Sequence, residues 1–139
     1  MSMHMALPPP PTVRLKIRHR AAGLLGFVLA LVLLRFPIGR AVVVVTRVKN
    51  CVASPASPDE ALTAVVAARN AARWFPGRAA CLENSLAATF TSLLLRRRLD
   101  WCIGARLMPY AAHAWVETGN RPVGEPHTPD RPYLLLLRV

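Results

Sequence analysis

Apolar residues follow two rhythms along this chain, helical spacing up to about residue 98 and strand-like alternation after it. Ala21 to Leu34 is an unbroken apolar run, AAGLLGFVLALVLL, held between Arg20 and Arg35. It predicts a first helix over 13–34, ending before Pro37 because a proline pushes the residue ahead of it out of the helical region. Residues 40–52, with Val42 to Val45 consecutive, read as a strand or a buried helix, and β-branching favours the strand. After a linker from Cys51 to Ser57, Ser57-Pro58-Asp59-Glu60 marks a helix start. Ser57 can cap the free amides, Pro58 suits the first helical position, and Glu60 completes a capping box. Leu62, Val65, Val66 and Ala72 fall near one face of that helix, which should stop around Trp74, before Phe75-Pro76-Gly77. The next helix is expected from Cys81 to Arg98. Leu82, Leu86, Phe90, Leu93 and Leu94 form its core stripe, and Arg96, Arg97 and Arg98 crowd its last turn.

From Trp101 onward the pattern predicts strands at 101–107, 111–117, 121–125 and 132–138. Helices first and antiparallel strands second make an α+β arrangement. The 139 residues suit a single domain over 13–139, behind a disordered or extended tail over 1–12 that contains Pro8-Pro9-Pro10-Pro11.

Charge changes the picture in one place. The chain carries a net charge of +11, its basic residues are Arg except for Lys16 and Lys49, and no acid precedes Asp59. Such a segment could favour anionic lipid, an acidic partner or nucleic acid, or simply be a solvated Arg-rich surface. No zinc finger, Gly-rich phosphate loop or aromatic RNA-binding signature accompanies it, so a nucleic-acid partner is not expected. The Ala21–Leu34 run falls short of the roughly twenty residues that cross a bilayer. It reads as a buried helix, with peripheral membrane contact as the alternative. It also looks like a signal-peptide core, but no small-x-small cleavage site follows it.

Cys51, Cys81 and Cys102 are odd in number and lack paired spacing, so they form no disulfide framework, and a reducing, cytoplasmic setting fits them. His4, His19, His113 and His127 lack zinc-ligand spacing; no metal or other cofactor is expected. Cys81 and His113 carry the candidate chemistry. Cys81 opens a predicted helix, where unpaired amides and a partial positive charge favour a thiolate and could hold an oxyanion. His113 lies on a predicted strand about thirty residues later and could act as its base. Taken singly, each is as readily structural: the cysteine as a small apolar residue, the histidine as part of a strand. Ser85, one turn after Cys81, either borders the site or caps; Trp74 either walls the cleft or packs in the core; Trp115 packs beside the base or against the first helices.

A histidine base usually needs a third group to fix its tautomer. The acids after His113 are Glu117, Glu125 and Asp130. A three-residue loop, Thr118-Gly119-Asn120, would set His113 opposite Glu125, Trp115 opposite Val123 and Glu117 opposite Arg121. A two-residue Gly119-Asn120 loop would turn Glu125 to the other face. The chemically sensible pairs favour the three-residue loop and Glu125, with Glu117 as the fallback.

Together, Cys81-Leu82-Glu83-Asn84-Ser85-Leu86, Leu93-Leu94-Leu95-Arg96-Arg97-Arg98, Ala112-His113-Ala114-Trp115-Val116-Glu117 and Gly119-Asn120-Arg121-Pro122-Val123-Gly124-Glu125 resemble the lasso-peptide leader peptidases. The resemblance covers roughly 55–125. It implies a transglutaminase-like, papain-related cysteine protease core, with Cys81 as nucleophile, His113 as base and Glu125 as orienting acid, where the family usually has Asp. It further implies removal of the leader from a ribosomally made precursor peptide through a thioester. A separate PqqD-like leader-recognition protein would act in trans, beside an ATP-dependent lasso cyclase. Two other classes stand beside this expectation: another transglutaminase-like acyltransferase or amidase, and a non-enzymatic basic membrane-associated protein.

Overall fold

The computed structural model describes residues 13–75, 81–107, 110–124 and 134–139. The Pro-rich 1–12 segment lies outside them, as does Glu125. Four helices come first, α1 (Ile17–Leu33), α2 (Ile38–Asn50), α3 (Pro58–Ala72) and α4 (Cys81–Leu94). The strands β1 (Asp100–Leu107), β2 (Tyr110–Thr118), β3 (Arg121–Pro122) and β4 (Leu134–Arg138) follow. They form one antiparallel sheet in the order β3-β2-β1-β4, the expected α+β arrangement.

The helical layer is organised by how closely α1 approaches its neighbours. Gly23 and Gly26 both lie on its buried side, with Ala22, Phe27 and Ala30. A β-carbon at Gly23 would sit 2.5 Å from the Ala67 carbonyl oxygen on α3. At Gly26 it would sit 2.6 Å from Thr91 Oγ1 and 2.8 Å from the Thr91 nitrogen on α4. The α3 face that receives α1 is correspondingly small: Ala61, Ala64, Ala67, Ala68 and Ala71 are buried with Val65, whereas Leu62 and Val66 are only partly so. The contact needs short side chains, so the larger ones lie to its flanks.

Residues 38–50 are helical, which corrects the strand favoured by the consecutive valines. Ala41 and Val45, four apart, bury completely, and tertiary packing outweighs β-branched propensity. Lys49 near the end of this helix donates to Asp100 Oδ1 at 3.0 Å and to the Val139 carbonyl at 2.8 Å, tying α2 to the sheet.

The helix start at Ser57 forms as the sequence predicts. Ser57 Oγ accepts from the Glu60 amide, Glu60 Oε1 accepts from the Ser57 amide, and Pro58 takes the first helical position. At the other end of this layer α4 stops at Leu94, short of the expected Arg98. Arg96 adopts a left-handed φ of 62°, and the Arg97 amide donates back to the Ser92 carbonyl. The three arginines therefore follow the helix instead of crowding its last turn, and Arg97 pairs with Glu60.

The β2–β3 hairpin also differs from expectation. Thr118 pairs with Arg121 and Glu117 with Pro122, so the loop is the two residues Gly119-Asn120. Both are left-handed, at 58° and 62°, the geometry of a type I′ turn that matches strand twist. The pairing of Glu117 with Arg121, on which the choice of Glu125 rested, is absent.

Two stability tests follow. Gly26→Val should destabilise the fold by about 1–3 kcal/mol, the usual cost of overpacking, read as a lower urea midpoint at unchanged slope. Ser57→Ala should cost about 1 kcal/mol. The Ser57 amide, and after it Arg97, holds the Glu60 carboxyl below its ordinary 4.5, while burial opposes the shift. That stabilisation is present above the ordinary carboxylate range and is lost as pH falls through the lowered folded value. Glu60→Ala should thus destabilise more at neutral pH than in acid, measured by urea unfolding at both.

Candidate functional site

Cys81 is the first residue of α4 and is partly buried. One turn later come Asn84 and Ser85. Ser85 is buried, its hydroxyl donating to the Leu82 carbonyl and accepting from the Trp101 indole nitrogen at 3.0 Å. That bond anchors the start of α4 to the sheet. A cavity of about 240 Å³ opens beside it, bordered by Cys81 and Ser85 from α4, by His113 and Trp115 from β2, and by Val65 and Val123. Arg69 on α3 donates to the Gly124 carbonyl at 3.0 Å, holding the chain after β3 against the cavity wall.

Strand alternation divides the β2 side chains between two faces. Trp101 on β1 is opposite Val116, and both join the core shared with α4. Cys102 is opposite Trp115 and Gly104 opposite His113. The Trp115 ring covers Gly104 so closely that a β-carbon there would be 2.7 Å from it. His113 stacks on Trp115, with ring centroids 5.8 Å apart and planes 18° from parallel. The Trp115 indole donates to Glu117 Oε2 at 2.7 Å, and Arg138 on β4 donates to Glu117 Oε1 at 2.8 Å. His113, Trp115 and Glu117 of β2 and Arg138 of β4 thus form a continuous ladder that passes over β1. The alternation of the first three is visible in the sequence; the part played by Arg138 emerges only from the β1–β4 pairing.

The candidate residues divide accordingly. Cys81, His113, Ser85 and Trp115 border one cavity. Trp74 is 84% exposed and is not part of the cavity's described wall. Glu117, the fallback acid, is engaged by Trp115 and Arg138. Cys51 is exposed at the end of α2, and Cys102 is buried in β1.

These positions overturn the expectation of a leader peptidase built on a Cys81–His113–Glu125 triad. Among the described residues, no three His, Cys, Asp or Glu side chains come together, whether as a triad or as ligands for a metal ion. The hairpin register that singled out Glu125 is not the one that forms. The cysteines are dispersed, Cys51 just after α2, Cys81 at the start of α4 and Cys102 in β1. The classification as a peptide-bond hydrolase falls with the triad.

The pattern of the transglutaminase-like superfamily matches residues 24–138. No curated protein and no solved structure matches the chain. Among the described residues no helix is long and apolar enough to cross a membrane.

The thiols should differ sharply in reactivity. Burial, opposed in part by the Arg138 hydrogen bond, pushes the Cys102 thiol up to about 11. Iodoacetamide followed by peptide mapping should label Cys51 and Cys81 in the folded protein at mildly alkaline pH, and Cys102 only after unfolding. Between the ordinary thiol value near 9 and about 11, the unfolded chain releases this proton and the folded one keeps it. Stability should therefore fall as pH rises through that window.

Proposed function

The chain belongs to the transglutaminase-like superfamily, and from that premise we propose that it is an acyl-transfer domain with Cys81 as the acyl acceptor. One observation carries the reading: the helix-start thiol and the His113 imidazole border the same cavity. The superfamily's name points to transfer of an acyl group from a carboxamide to an amine. In such a step the Cys81 sulfur attacks the carboxamide carbon, the carbon–nitrogen bond breaks, and the nitrogen leaves as ammonia with a proton delivered by His113. An amine then attacks the thioester carbon, returning the sulfur and passing its proton to the imidazole. The unpaired amides of the first turn of α4 would be the donors for the developing oxyanion. Ser85 supports this end of the helix through Trp101, and Trp115 braces the imidazole by stacking.

The motif blocks around Cys81 and His113 support a peptide as the acyl donor, in the setting of lasso-peptide assembly. A PqqD-like recognition protein would present the peptide, with the cyclase nearby, in a cytoplasm whose reducing setting keeps thiols free.

A glutamine-containing peptide and a fluorescent primary amine provide the test, with the recognition protein present. The amine should become covalently attached, or ammonia released where water replaces it. Cys81→Ala should abolish both, and His113→Ala should slow them by about 10²- to 10⁴-fold. Turnover that survives Cys81→Ala, or no turnover of any carboxamide tried, sinks the proposal.

A further inference from the structure

The outer side of α1 has no partner among the described residues, although it is as apolar as the inner side. Leu24, Leu25, Val28, Leu29 and Val32 form one stripe along it, with Leu24 and Val32 each 54% exposed. Beside it α2 exposes Ile38, Val43, Val44 and Val48, and the turn between the helices exposes Phe36. Between α1 and α2 runs an apolar groove of about 300 Å³, floored by Phe90 and Leu93 of α4. A patch of this breadth marks a surface built to meet something apolar.

Charge narrows what that is. Arg14, Lys16, Arg18 and Arg20 stand at one end of α1, all exposed. Arg35 and Arg40 stand at the other end, also exposed, with the Arg40 guanidinium 5.5 Å from the centre of the Phe36 ring. No acidic residue precedes Asp59. The apolar run between these ends measures about 21 Å at 1.5 Å per residue, well short of the roughly 30 Å of a bilayer's hydrocarbon. It is too short to cross but suited to lie flat, with its apolar side among acyl chains and both basic ends among phosphates. An acidic peptide helix seated in the groove would cover Leu29, Val32, Val44 and Val48 and leave Leu24, Leu25 and Val28 in water. A lipid surface covers both sets.

We propose that α1 and α2 form an in-plane docking face for an anionic membrane surface, independent of the chemistry at Cys81. Flotation of the full chain tests this with vesicles of phosphatidylcholine alone and of phosphatidylcholine mixed with phosphatidylglycerol. The protein should rise with the anionic vesicles, stay down with the neutral ones, and be released as salt rises. Leu25→Glu with Val28→Glu alters exposed positions only and should abolish flotation, with the circular dichroism spectrum unchanged. Arg18→Gln with Arg20→Gln should lower the partition coefficient roughly twenty-five-fold, about fivefold per charge. Wild-type protein that stays down with anionic vesicles at low salt overturns the proposal, as does equal flotation of the glutamate variant. Self-association or capture of an acidic peptide through this face, without flotation, also overturns it.

Discussion

The absence of two β-carbons, at Gly23 and Gly26, is the constraint on which the remaining packing rests. It lets the α1 backbone come within contact distance of Ala67 on α3 and Thr91 on α4. That approach in turn requires the alanine-rich face of α3. It also fixes which side of α1 is inside. Gly23, Gly26, Ala22 and Ala30 share the inner side with Phe27, while Leu24, Leu25, Val28, Leu29 and Val32 are turned outward, and the exposed apolar face is the complement of the glycine seam.

The middle of α4 becomes the centre of the molecule as a result. Every residue from Ser85 to Leu93 is buried, so its hydroxyls need partners inside. Thr89 and Thr91 return theirs to carbonyls four residues back, and Ser92 donates to the Arg97 carbonyl. Ser85 is different, because it also takes the Trp101 indole proton. The same helix that completes the core is thereby registered on the sheet at the turn that begins with Cys81. A shift of that turn would disturb the core and the cavity together.

How far the fold could be read from the sequence depended on whether local chemistry decided it. The Ser57-Pro58-Asp59-Glu60 start was legible because each residue meets a need of the first helical turn by itself. The valines of α2 were not, because their helical state comes from burying Ala41 and Val45 against neighbours distant in sequence. The end of α4 turned on one arginine accepting a left-handed conformation, which composition does not announce. The hairpin was a closer contest: pairing chemistry favoured Glu117 with Arg121, and the twist preference for two left-handed residues at Gly119-Asn120 won. One residue of register separates those outcomes. It was enough to undo the argument for the third member, while Cys81 and His113 still border a common cavity. Glu117, the fallback acid on sequence grounds, is the joint between Trp115 and Arg138, a role that needs β4 beside β1.

The three tryptophans occupy three dielectric settings. Trp74 stands in water, Trp101 is fully enclosed, and Trp115 is enclosed but stacked on an imidazole and bonded to a carboxylate. Their light emission is accordingly separable. An indole in water, as at Trp74, should emit at longer wavelength than an enclosed one, as at Trp101, while Trp115 lies against groups able to quench it. The indole beside His113 thus places an optical reporter in the cavity wall itself.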